Sequence, residues 1–555
     1  MMRTESSNVF PPVGMLLLAF ATGYLSMSQE VLWFRACSYA TAGRAEVFGW
    51  VLGAILAGIA LGGLVSARLC QRGESTLLRA GALMLVLSGA LFMFGFPIWA
   101  ELQISLHNYR VSLLFALVCM TIVAALVGSV FPLACHLAIS RNDRWVGRKM
   151  GWIYLANIIG STTGPLVTGF FGLQFMSLLT NIRLVAATTV LVGITVWRPK
   201  RRGTNPNHHA LHVAVAVALL ACLGLAHHRM SNDFLAKLHY RADFATLGPY
   251  KRVVENRHGV IAVARGEPVV GGDVVFGGGV YDGRFNTDLD NDHNGIYRAY
   301  YAVVMRDKPK RVLMIGLATG SWARVVADYP TIELLDIVEI NPGYLTVLAD
   351  YPESASLTTD PNVRIHLDDG RRWLRRHPNR RFDAIIMNTT FHWRANATTI
   401  LSKDFLLLAK QNLNDGGWVY FNPTGSEDAI HTAADVFRHI TTIGNVVAAS
   451  DAPLPPSSTE LQERLALFNV NRPTFPDTIA GRVRLAAFAA RDLHDQGAQF
   501  RDRADLHVIT DDNLWTEFKG RKQVGTLHDY VARRLTGAGA TPEHGWPALL
   551  TRIKW

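Results

Sequence analysis

Cysteine is scarce in this sequence. Five are present in 555 residues, Cys37, Cys70, Cys119, Cys135 and Cys222, and each lies in or beside a long apolar run. A disulfide framework and a cysteine-based metal site are thereby excluded from the rest of the chain. No group of histidines and carboxylates falls at a metal-ligand spacing, so no metal is expected. Charge is thin as well: 18% of residues are Asp, Glu, Lys or Arg, against 49% hydrophobic. A chain this long and this apolar is not one soluble domain. Repeats and low-complexity tracts are absent, and no small-residue cleavage site follows the first apolar run, so no cleavable signal peptide is expected.

What is present begins with apolar runs. Seven are of roughly membrane-crossing length: Val13 to Trp33, Phe48 to Ala67, Leu78 to Trp99, Leu113 to Ala138, Trp152 to Phe175, Leu184 to Trp197 and Leu211 to Ala226. Lys and Arg exceed Asp and Glu by 55 to 44. The excess sits in loops between these runs, which points to membrane topology and away from nucleic acid. Arg68, Arg72 and Arg79 follow the second run, Arg141, Arg144, Arg148 and Lys149 the fourth, and Arg198, Lys200, Arg201 and Arg202 the sixth. The alternate loops carry only Arg35, Arg44, Arg110 and Arg183. The positive-inside rule then puts the N-terminus in the cytoplasm and everything after the seventh run outside the cytoplasmic (inner) membrane.

Two features of the runs stand out. Glu30 is the one carboxylate well inside a run, where ionisation is costly; a partner such as Arg35 or a cavity between helices would account for it. Gly53, Gly58, Gly62 and Gly63 in the second run, with Gly160 and Gly164 in the fifth, suit close helix packing.

The second half reads differently. Lys310-Arg311-Val312-Leu313-Met314-Ile315 is a short apolar strand, Gly316-Leu317-Ala318-Thr319-Gly320 a small-residue turn, and Trp322 to Tyr329 a helix. A second strand, Leu334 to Ile340, carries Glu339 near its end. Glycines of such a turn let backbone approach a nucleoside, and the acid accepts hydrogen bonds from ribose hydroxyls. The strand Val363 to Leu367 leads to Asp369, Phe382 to Met387 leads to Asn388, and the turn from Leu413 leads into Trp418 to Phe421. In an open α/β sheet Glu339, Asp369 and Asn388 would face one crevice at the C-terminal strand ends.

With these motifs, and with the hairpin Val275-Phe276-Gly277-Gly278-Gly279-Val280-Tyr281-Asp282-Gly283, the stretch from Val253 to Phe437 resembles the spermidine synthase-like aminopropyltransferases. These share the fold of class I S-adenosylmethionine-dependent methyltransferases. Ser28 to Arg35, Gly151 to Gly160 and Ile509 to Asn513 are similar to the membrane-fused branch of that family. The resemblance implies a polytopic α-helical membrane domain followed by a Rossmann-like synthase domain with a small N-terminal β subdomain. The expected divisions are a transmembrane helical domain at 1–228, a linker and β-hairpin subdomain at 229–308, the Rossmann-like core at 309–450 and a C-terminal extension at 451–555.

By the same resemblance, decarboxylated S-adenosylmethionine or S-adenosylmethionine is the cofactor, held by Gly316, Ala318, Gly320, Glu339 and Asp369, and a small amine or polyamine is the substrate, met by Tyr281, Asp282 and Trp393. Asn388, His392 and Asp369 stand at the catalytic positions. Two residues depart from the family: Thr319 and Asn388 each stand where it carries an aspartate. Threonine supplies no negative charge and asparagine cannot act as a base. The loop Thr389 to Thr398 offers His392, Trp393 and Arg394 in place of the usual acid and proline. His392 is either a general acid or base near neutral pH or a packed anchor, and Trp393 either a wall for an amine or packing.

Asp290, Asp292, His293 and Asn294 form either a site or a solvated loop, the latter being the simpler reading, while Asp511 and Asp512 border the pocket or cap a helix. The expected activity is transfer to an amine, nominally aminopropyl transfer to a polyamine. Two alternatives remain: an extracytoplasmic enzyme that uses no adenosyl cofactor and modifies or cyclises an exported amine, and a polyamine carrier with a non-catalytic sensor domain. The lipid bilayer is an expected partner, and a homo-oligomer is left open.

Overall fold

The computed structural model describes residues 11–106, 109–139, 144–197, 224–266, 272–388, 391–491 and 493–519. The chain divides into two compact units. The first comprises residues up to Thr41, Glu46–Pro249 and Glu255–Arg257; the second comprises Ala42–Ala45, Tyr250–Val254 and the chain from His258 onward.

The first unit is helical: α1 (Val13–Ala40), α2 (Glu46–Leu69), α3 (Glu74–Ser105), α4 (Tyr109–Ala138), α5 (Val146–Pro165) and α6 (Leu178–Val196). Leu, Val and Ala dominate these sequences, and a helix satisfies its backbone polar groups internally, which is what an apolar surrounding demands. Five of the helices, all but α5, are long and apolar enough to cross a membrane. These five are counted among the described residues, and the expected seven are not all represented there. The fifth expected run falls on α5, which begins with Arg148 and Lys149, and on the π-helical turn Leu166–Gly172 that follows it. Pro165 cannot donate to the α-helical ladder, and the backbone widens directly after it. Most of the seventh run lies outside the described residues.

Glycine packing is borne out at four of the six positions. A Cβ on Gly58 or Gly62 would sit 2.4 Å from the carbonyl oxygens of Thr121 or Ala125 on α4. One on Gly160 or Gly164 would meet the backbone of α1 at Phe20 or Tyr24. Gly53 and Gly63 face open space. Trp33 of α1 is buried against α3, stacked on Phe96 with ring centroids 3.9 Å apart. Arg35 donates to the carbonyl of Asn256.

Two sheets lie in the chain beyond Pro249. β1 (Arg252–Asn256), β2 (Gly259–Ala264), β3 (Val274–Gly277) and β4 (Val280–Arg284) form the smaller, ordered as they occur in the chain. The larger contains β5 (Arg311–Ile315), β6 (Leu334–Glu339), β7 (Val363–Leu367), β8 (Phe382–Met387), β9 (Leu413–Phe421), β10 (His439–Ile443) and β11 (Val446–Ser450) in the order β10-β11-β9-β8-β5-β6-β7. β5 to β9 are mutually parallel, and β11 pairs antiparallel with β9 and β10.

β5 shows why these strands read as unbroken apolar runs. Val312 and Met314 join one buried cluster with Trp322, Val325 and Leu348, while Leu313 and Ile315 join another with Trp373, Phe405 and Leu406. Both faces are covered, so both sets of alternating residues are apolar. The helices over the faces include α7 (Ser321–Ala327), α8 (Gly343–Leu348), α9 (Gly370–Arg376), α10 (Lys403–Gln411) and α11 (Glu427–Val436). The chain leaves β5 towards β6 on one side and returns to β8 on the other, so the reversal of strand order falls at the C-terminal end of β5.

The close approach at Gly62 gives a paired test. Gly62→Ala should lower stability by about 1–3 kcal/mol by overpacking. Gly63→Ala, one residue on, should stay within about 0.5 kcal/mol of the native protein. Thermal unfolding in detergent reads both, and equal effects would show that the α2–α4 contact is not the constraint.

Candidate active site

The turn after β5 is built for close backbone approach. Gly316 and Gly320 have φ of +93° and +71°, values L side chains rarely adopt, and a Cβ on Gly316 would meet nothing within 4 Å. Ala318, with a side chain, also has positive φ, +47°. A non-glycine residue keeps that conformation only where its surroundings hold it. Here they do: the backbone N–H of Ala318 points at the Glu339 carboxylate.

Glu339 ends β6 and is 4% exposed. Its Oε2 accepts from Leu317 N and its Oε1 from Asn341 N, each at 2.8 Å. One carboxylate thus ties the glycine turn to the tip of the neighbouring strand. Burial pushes its pKa up to about 7 against the pull of these amides, and the nearby Asp282 pushes in the same direction.

Asp282 on β4 belongs to the same cluster. It accepts a hydrogen bond from the Tyr344 hydroxyl of α8 and lies in the field of the Arg394 guanidinium. Burial raises the Asp282 carboxyl and lowers Arg394, and their mutual attraction opposes both shifts. Burial, then Asp282 and Glu339, hold the Tyr344 phenol well above its ordinary range. Two acids, a phenol and a guanidinium therefore share one largely desolvated site. Neither Tyr344 nor Glu517, described below, stood out in the sequence, because nothing in a lone tyrosine or glutamate shows which loop it will meet.

The other expected residues are placed as follows. Asp369 caps α9, its side chain accepting from Arg372 N at 2.8 Å. Asn388 follows β8, and its Oδ1 accepts from Asn422 Nδ2 at 3.4 Å. Tyr281 is half-buried beside Asp282. His392 is 5% exposed, with Nδ1 2.9 Å from Thr424 Oγ1, and burial first of all lowers its pKa to about 4. Its imidazole is therefore neutral at physiological pH. Trp393 stacks on Phe391 and packs with Ala42 and Val280. Thr389 and Thr390 lie outside the described residues.

Thr319 is 4% exposed. It donates to Ser321 Oγ at 3.2 Å, accepts from Ser321 N at 3.4 Å and packs against Gly283. Asp292 binds the backbone N–H groups of Ile296 and Tyr297, and Asp290 pairs with Arg484, so this stretch has the ties of a loop. Asp511 accepts from Arg371 Nη1 at 2.7 Å and Ser402 Oγ at 2.9 Å.

Part of this chain is similar to known proteins. Residues 299–455 match the family described as spermine/spermidine synthase domain. The C-terminal region carries a spermidine synthase domain. The chain is 38% identical over 84 residues to a polyamine aminopropyltransferase of Alkaliphilus oremlandii, covering 15% of this chain and 29% of that one. It is 25% identical over 305 residues to polyamine aminopropyltransferase 2 of Streptomyces coelicolor, covering 53% and 52%. Each match spans less than two thirds of the relative's length. Among solved structures, spermidine synthase from Thermotoga maritima is 16% identical, with 42% of this chain and 88% of that chain covered and a TM-score of 0.33. A spermidine synthase in complex with the transition-state analogue AdoDATO gives 16%, 43%, 85% and 0.33.

Within the synthase domain Glu339 sets a pH dependence. Its carboxyl titrates near 7 when folded and near 4.5 as an unperturbed group, so between those values the folded state holds the extra proton. Stability then falls as pH rises from about 4.5 to about 7. Glu339→Gln removes this contribution, and its Tm should change less than the native Tm between about pH 5 and pH 7.5. Parallel Tm curves would overturn the assignment.

Proposed function

We propose that the synthase domain binds an adenosyl nucleoside at the C-terminal ends of β5, β6 and β7 and transfers its alkyl group to an amine, nominally aminopropyl to a polyamine. The helical unit would hold the protein in a bilayer. The observation that carries this reading is the Glu339 clamp on the glycine turn at the strand-order reversal.

The residues fit such a group. Gly316 opens onto free space, and beyond its three amides the Glu339 carboxylate keeps a lone pair to accept a ribose hydroxyl. Asp369, capping α9 at the end of β7, would border the base. When bound, the nucleoside supplies a carbon activated by a neighbouring sulfonium. An amine held beside that carbon would take the alkyl group, with the thioether as the leaving group and a proton lost from the amine nitrogen. Asn388 would orient the amine through its amide oxygen, with the His392 loop, Tyr281, Asp282 and Trp393 around it. Asn388 cannot keep the proton, so the amine must arrive neutral or release it to solvent.

A second reading is favoured by the spread of basic residues, with Arg68, Arg72 and Arg79 following α2 and Arg144, Arg148 and Lys149 following α4. It places the domain outside the cytoplasm and has it act on an exported amine without an adenosyl cofactor. A reporter fused after Trp555 distinguishes the two.

Native protein should bind S-adenosylmethionine or its decarboxylated form in calorimetry, and Glu339→Gln should weaken that binding at least about tenfold. Absence of binding by the native protein rejects the reading. With putrescine as acceptor, the native rate should rise steadily with pH as the amine deprotonates. Asn388→Asp supplies a base and should raise the neutral-pH rate by about 10²-fold.

A further inference from the structure

Three hydrogen bonds from one loop converge on one carboxylate. Glu517, in the 3-10 turn Trp515–Phe518, is 5% exposed. Its Oε2 accepts from Asn396 N at 3.0 Å, and its Oε1 accepts from Thr398 N at 3.2 Å and Thr398 Oγ1 at 2.9 Å. Asn396 has a φ of +62°, a left-handed conformation that needs holding in a residue with a side chain.

The segment bearing Glu517 is itself fixed. Ile509 N donates to Thr432 Oγ1 of α11 and Ile509 O accepts from Lys403 N of α10. Further on, Thr516 Oγ1 donates to Asp428 Oδ2, and Lys519 pairs with the same carboxylate. Glu517 therefore reaches the loop from a platform tied to two helices. Directly after Arg394, the N–H of Ala395 donates to Gly43 O at 2.9 Å. Arg394 immediately precedes these ties and is joined to the tied stretch by its own carbonyl, which accepts from Ala397 N at 3.1 Å; its guanidinium is the cation that acts on Asp282.

We propose that Glu517 is a positioning residue: it fixes the conformation of residues 394–398 and thereby holds Arg394 in place beside Asp282 at the acceptor side of the pocket. The assignment of that side rests on the transfer reading above; the fixing of the loop does not. Glu517 touches no reacting atom and acts through Arg394. A buried carboxylate receiving three donors from one short stretch does more than end a helix, because the two amides use different oxygens and both must be met at once.

The test is amide hydrogen exchange on the full chain in detergent, with S-adenosylmethionine calorimetry and putrescine kinetics alongside. Glu517→Ala should speed exchange at Asn396 and Thr398 at least about tenfold while leaving α11 unchanged. Glu517→Gln should loosen the loop less, since only one of its two terminal atoms can still accept. Nucleoside affinity should stay within about twofold, while the KM for putrescine rises about tenfold or more. Unchanged exchange in Glu517→Ala, or a rise of the same size in α11, overturns the proposal. An unchanged KM with a loosened loop overturns the positioning role. Failure of the native protein to bind either nucleoside rejects the transfer reading and also the acceptor-side role, while the exchange data still decide whether Glu517 fixes the loop.

Discussion

The synthase domain depends on a carboxylate that binds its own backbone. Glu339 holds the amides of Leu317 and Asn341, and through them a turn containing three residues of positive φ. Without an acceptor there, the turn would present unpaired buried N–H groups, each costing about 1–3 kcal/mol. The same placement costs the carboxylate its hydration, which is why its proton is held so much more tightly than usual. A group that organises the crevice and titrates near neutrality can couple the shape of the site to its protonation.

Around that group the charges are arranged unlike those of a pocket lined with acids for a cation. Thr319 spends its hydroxyl on the start of α7, and Asn388 offers an amide. The acids that remain near the turn, Asp282 and Glu339, are engaged by a phenol, a guanidinium and backbone amides. A cationic amine would meet a partly neutralised surface here, so its recognition must rely on orientation and packing more than on net charge.

Much of the domain could be read from the sequence because its signals are local. An apolar run, a glycine turn and an acid at the next strand's end are each legible within a few residues, and their order fixes the sheet. Glu339 was found that way. The helical unit was harder: apolar length alone does not separate α5, with its Arg148, Lys149 and Pro165, from the five helices long and apolar enough to cross a membrane. Gly63 looks like Gly62 in sequence, yet only one of them faces α4. Tyr344, Arg394 and Glu517 act on residues 62, 112 and 119 positions away in the chain respectively, and no periodicity announces such partners.

The membership of residues 42–45 in the second unit has a practical side. They are separated by some two hundred residues from the rest of that unit, yet Ala42 covers Trp393 and the Gly43 carbonyl receives Ala395 N. Excising the synthase domain at Tyr250 would leave an indole uncovered and a loop amide without its acceptor. The soluble fragment that a domain map invites one to express is thus an incomplete fold, and catalytic work on this protein belongs with the uncut chain.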